Sequence, residues 1–150
     1  ASPDARPAET PRATKLAPPR TSAEKRASLA KEVDQLTSKL YDAARDVIEQ
    51  IEDEAPAELE DRFIKGERDV YVQALHQRRS KRVLKELSVR YDAERSLRTR
   101  VDSYVRLFER LLDTVSGTQN GSQMVEACLG SDTGKVYMML AEASGRITPN

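Results

Sequence analysis

Residues 29–47 read LAKEVDQLTSKLYDAARDV, and this stretch decides the fold class. Its apolar positions, Leu29, Val33, Leu36, Leu40, Ala43 and Val47, alternate steps of four and three. An α-helix turns once in 3.6 residues, so these side chains return to one side and form a stripe with coiled-coil spacing. A second stretch, residues 84–115, places Leu84, Leu87, Tyr91, Val101, Val105, Phe108 and Leu112 in the same register, ending on Val115. On helices this charged, such a stripe leaves water only by packing on another one. The spacing predicts an all-α protein: a long antiparallel helical hairpin or coiled coil over 21–116, short helices in 117–150, and a disordered tail over 1–20.

Local signals set the expected boundaries. Residues 1–20 hold five of the seven prolines and little to bury, which reads as an extended tail dispensable for folding. Thr21 and Glu24 match a capping box at the start of the first helix, whose seam runs to Ile51. Pro56 marks the start of the next helix. Glu52, Asp53 and Glu54 fit poorly, because they fall at a helix C-terminus, where the dipole favours cations.

From Glu67 to Ser116 there is no glycine or proline. The second seam extrapolates backward through Val70 and Phe63 to Leu59, which predicts one helix near 60 residues and about 90 Å long. Its middle is weak: Gln73, Gln77 and Ser80 occupy seam positions, so a break within 76–80 is the alternative. Glu94 and Arg98 also fall on the seam; either they fix a register, or a 3.6-residue period rotates the stripe to Leu97. Beyond Val115, Gly117, Asn120 and Gly121 read as a loop, followed by helices over 123–129 and 135–144. Residues 136–141 are apolar all round, so this segment is expected to pack on the hairpin or on a partner, with Val136, Tyr137, Met139 and Leu140 as a candidate interface.

Composition excludes several function classes. Formal net charge is zero, which argues against a surface devoted to DNA or anionic membranes. The longest apolar run is far short of a bilayer span. The single cysteine, Cys128, permits no intrachain disulfide, and with no signal-peptide pattern visible a cytoplasmic location is expected.

The strongest charge feature is the basic stripe Arg78, Arg79, Lys81, Arg82 and Lys85, five cations in eight residues without an acid. Residues 42–69 carry eleven acids against four bases, so pairing with an acidic helix of the same or another copy is the first reading, an acidic or helical foreign partner the second, and a phosphate backbone the third.

Catalytic and metal signals are weak. His76 is the only histidine, and Cys128 sits between Ala127 and Leu129 as a small core residue would. GSDTGKV at 130–136 is one residue short of a phosphate loop and has valine where magnesium needs a hydroxyl. The sequon Asn120-Gly121-Ser122 reads better as a turn, and the acids at 42–69 lack calcium-loop spacing.

No catalytic, cofactor or metal residue is therefore assigned, and no cofactor is expected. The expected function is a non-enzymatic coiled-coil adaptor, scaffold or regulatory subunit that binds protein and self-associates through the second seam. A nucleic-acid-associated role for the basic stripe is the alternative.

Overall fold

The structure, a computed structural model, describes residues 21–147; the tail assigned to residues 1–20 lies outside them. Among the described residues there are seven helices and no strand. They are α1 Ser22–Ile51, α2 Ala57–Ile64, α3 Val70–Gln77, α4 Lys81–Ala93, α5 Arg95–Ser116, α6 Gly121–Gly130 and α7 Asp132–Ala143. None is long and apolar enough to cross a membrane.

The chain divides into two units, Ala1–Glu32 and Val33–Asn150. In the described part of the first, the Thr21 hydroxyl accepts a hydrogen bond from the Glu24 amide at 2.9 Å and donates to the Glu24 carboxylate at 3.1 Å. Half of the expected capping box is thus formed, since the carboxylate meets the hydroxyl instead of an amide. Every described side chain here is exposed except Leu29, which is half-buried.

The second unit holds the core. On α1 the buried residues are Leu36, Leu40, Ala43, Ala44, Val47 and Ile48. Ala44 and Ile48 widen the seam into the broader stripe of a helix packed against several neighbours. On α5 the stripe is Leu97, Val101, Tyr104, Val105, Phe108, Leu111 and Val115. Leu97 takes the place that a strict heptad would give to Glu94 or Arg98, as the 3.6-residue period requires.

The single helix expected from 57 to 115 is divided into α2, α3, α4 and α5. Gly66, at φ +115°, ends α2 in a conformation that side chains other than hydrogen rarely adopt. Ser80 caps α4, its hydroxyl accepting from the Val83 amide at 3.2 Å, so the break falls within the weak 76–80 region. The third break, at Glu94, has neither glycine nor proline. Glu94 is extended, at φ −113° and ψ 110°, and arginines hold the turn. Arg98 donates to the carbonyls of Tyr91 and Asp92 at 2.9 and 3.0 Å, while Arg90 grips the Glu94 carboxylate at 2.6 Å. These bonds satisfy carbonyls that a helix end leaves free. A seam read along one continuous helix therefore overestimates its length.

The C-terminal helices pack closely. α7 lies against α3, α4, α5 and α6, which is why residues 136–141 are apolar on every side. Phe108 and Tyr137 stack with ring centres 4.7 Å apart, and the Tyr104 hydroxyl donates to the Thr133 carbonyl at 2.8 Å. Gly134 lets α7 start against the end of α6, because a Cβ there would collide with the backbone carbonyl oxygens of Cys128 and Leu129. The glycine that imitates a phosphate loop in the sequence is a packing residue.

Candidate functional site

The residues named as the interaction seam are mostly spent inside the chain. Leu87, Val101, Val105 and Phe108 are buried, and Leu84, Tyr91 and Leu112 are half-buried against the same core. The Tyr91 hydroxyl donates to Asp102 at 2.6 Å. Because α4 and α5 meet at the Glu94 turn, their apolar sides face each other and α7 instead of forming one continuous outward stripe. Val136, Met139 and Leu140 are likewise buried and Tyr137 half-buried, so of the segment's apolar run it is Met138, 44% exposed, that meets solvent.

The basic stripe is split. Arg78 is half-buried and engaged, donating to the Ala74 carbonyl at 2.8 Å and to Glu52 at 2.9 Å. Arg79, Lys81, Arg82 and Lys85 are exposed. Of these, Arg82 makes a loose pair with Glu86 at 3.4 Å, and the other three form no ion pair among the described residues. The same outward face of α4 carries Val89, 63% exposed.

Arg78 of the basic stripe and Arg90, which the sequence did not single out, answer the misplaced acids at the end of α1. Arg90 donates to the carbonyls of Ile51 and Gln50 at 3.0 and 3.2 Å, and Arg78 pairs with Glu52. The cations that the helix dipole favours at that terminus thus arrive from α4 and the preceding turn. The signal for them is weak in a sequence, because these arginines sit 26 to 40 residues from their targets.

A second cluster ties α1 to α2 and α3. Arg45 donates twice to Glu60 at 2.7 Å, and the Tyr71 hydroxyl donates to the same carboxylate at 2.7 Å. The Arg45 bonds and then the tyrosine hold the Glu60 carboxyl below its ordinary value. Phe63 meets Tyr71 edge-on at 5.3 Å and lies beneath Arg68 at 4.6 Å.

One open cleft of about 390 Å³ is lined by Val33, Thr37 and Tyr41 of α1, Val72 and Gln73 of α3, Leu111, and the α6–α7 junction with Cys128, Asp132 and Thr133. Burial, then the carboxylates of Asp69 and Asp132, raises the Tyr41 phenol, and burial raises the Cys128 thiol. Both therefore stay protonated at neutral pH, so Cys128 is a thiol and not the reactive thiolate. Gln73 donates to Asp132 at 2.5 Å, which closes one side of the cleft. His76 is not among the lining residues. No protein-family model matches the chain, and no curated protein or solved structure matches it either.

Proposed function

We propose that the chain is a non-enzymatic helical protein-interaction module, an adaptor or scaffold that self-associates in the cytoplasm. The observation that carries this reading is on α1. Its four-and-three seam begins at Leu29, whereas burial begins at Leu36. At its start the seam is only half-buried, with Val33 at the edge of the core and Leu29 one turn further out, so it extends past the residues the chain fully buries. A partner helix with the same spacing is the cover that this pattern suits. The coiled-coil part of the reading is confined to this start of α1.

Sedimentation or light-scattering mass, measured against concentration for the full chain and for Leu29→Lys, tests it. The wild-type mass should exceed that of one chain, and the lysine should lower it without changing the melting temperature, since position 29 lies outside the core. A monomer at every concentration would sink the reading. A wild-type assembly that Leu29→Lys leaves untouched would remove the α1 seam from it.

Nucleic-acid association through the exposed cations Arg79, Lys81, Arg82 and Lys85 is the competing reading, and the steep salt dependence of phosphate contacts is its signature.

A further inference from the structure

The outward face of α4 has a charge order that the described residues of one copy leave unsatisfied. Lys85, Glu86, Val89 and Asp92 follow Arg82 by three, four, seven and ten residues, so the five form one stripe, and all are exposed. Cations occupy its N-terminal half. The first helical turn has no acid and contains Lys81 and Arg82, with Arg79 just before it. Toward the C-terminus the stripe carries Asp92. This order opposes the dipole of α4, which favours anions at its start and cations at its end. The basic residue of the last turn, Arg90, is already engaged by the α1 carbonyls and Glu94.

An antiparallel neighbour with the same charge order corrects both ends. Its negative end lies beside the positive end of the first helix, and a two-fold axis repeats every contact. We infer that two copies pair through the outward faces of α4, antiparallel, with Arg82 and Lys85 of each near Asp92 of the other. Val89, the most exposed apolar side chain of α4 at 63%, then lies near the centre, against the aliphatic stems of Lys85 and Glu86 from the second copy.

The inference rests on the reading of the chain as self-associating but not on the α1 seam. A second copy is favoured over a phosphate polymer because the stripe also carries Glu86 and Asp92, which would repel phosphate, and because the chain has no net charge. One pair of short helices is a small contact, so the dimer should be weak and concentration-dependent.

Charge exchange tests it. In full-length protein, Arg82→Glu with Lys85→Glu sets acids against Asp92, and Asp92→Lys sets a cation against Lys85. With Leu29→Lys removing any α1 contact, each charge variant should be monomeric at concentrations where Leu29→Lys alone dimerises, with unchanged helical circular dichroism; a Leu29→Lys parent that is already monomeric overturns the α4 contact. An equimolar mixture of the two should recover the dimer. Salt near 1 M, where the screening length is about 3 Å, should weaken both wild type and mixture.

Assembly that persists in each variant, or a mixture that stays monomeric, overturns the α4 contact while leaving self-association standing. A wild type monomeric at every concentration overturns both. If the wild type retards a single-stranded oligonucleotide, Arg82→Glu with Lys85→Glu abolishes it, and the mixture forms no dimer, the stripe is a phosphate surface and the inference is wrong.

Discussion

Glu60 receives two bonds from Arg45 and one from Tyr71, and this makes the fold sensitive to pH at both ends. The carboxyl is held below its ordinary value, chiefly by Arg45 and next by Tyr71. Its stabilisation is therefore present above the unfolded-state value of about 4.3 and is lost as pH falls through the lower folded value. Glu60→Gln should reduce stability at neutral pH and flatten its fall below about pH 4.3, as urea titrations at several pH values would show. Tyr71 behaves oppositely. Burial first, then the bond to Glu60, pushes its phenol up to about 12, so the neutral form is favoured in the fold and stability should drop as pH rises from about 10 toward that value. Tyr71→Phe should remove that alkaline loss, and an unchanged profile would show that the phenol does not govern it. Gly134 is a steric counterpart. Gly134→Ala forces the α6–α7 junction apart and should cost about 1–3 kcal/mol, the usual range for overpacking, read as a lower melting temperature.

At the scale of elements, the helices were legible where apolar spacing carried them and illegible where distant side chains ended them. The stripes of α1 and α5 follow from residues 29–47 and 97–115 because amphipathic periodicity is local. The divisions at Gly66 and Ser80 also had local signals, a glycine and a run of poor core residues, although extrapolation of the seam overrode the first. The division at Glu94 had none. It depends on Arg90 reaching the α1 carbonyls and Arg98 reaching Tyr91 and Asp92, contacts that exist only once the chain has folded. The candidate surfaces divide the same way: composition located the basic stripe, whereas Val89 lay off the seam among charges and became visible only when α4 was seen from outside. Arg90→Ala should free the carbonyls of Gln50 and Ile51 and leave Glu94 without its partner, costing about 1–3 kcal/mol in denaturant unfolding. Exposed Arg106→Ala on α5 should stay within about 0.5 kcal/mol of wild type. Equal effects would refute the capping role.

For the whole molecule, the cover over α7 decides what truncation costs. The sequence leaves two covers open, the hairpin or a partner, and with a partner as the cover truncation after Asn120 would cost only the segment's own helical signal. In the structure, Val136, Met139, Leu140, Ala141 and Ala143 are buried, and α7 touches four other helices. Its loss uncovers Tyr104 and Phe108, the latter stripped of its stack on Tyr137. Burying each large apolar side chain contributes about 1.5–3 kcal/mol, so losing Val136, Met139, Leu140 and the cover over Phe108 removes about 6–12 kcal/mol. That matches the whole stability of an ordinary domain, about 5–15 kcal/mol. A chain ending at Asn120 should therefore lose cooperative unfolding and near-ultraviolet dichroism, keeping at most fluctuating helices. Phe108→Asp should do the same, because its buried ring serves the core and not a partner. Leu29→Lys and the α4 charge variants should instead alter assembly mass and leave the melting transition in place. A truncated chain that melts sharply at the wild-type temperature would show that residues 21–120 fold alone and that α7 is an accessory, and interaction at the C-terminal segment would then regain its case.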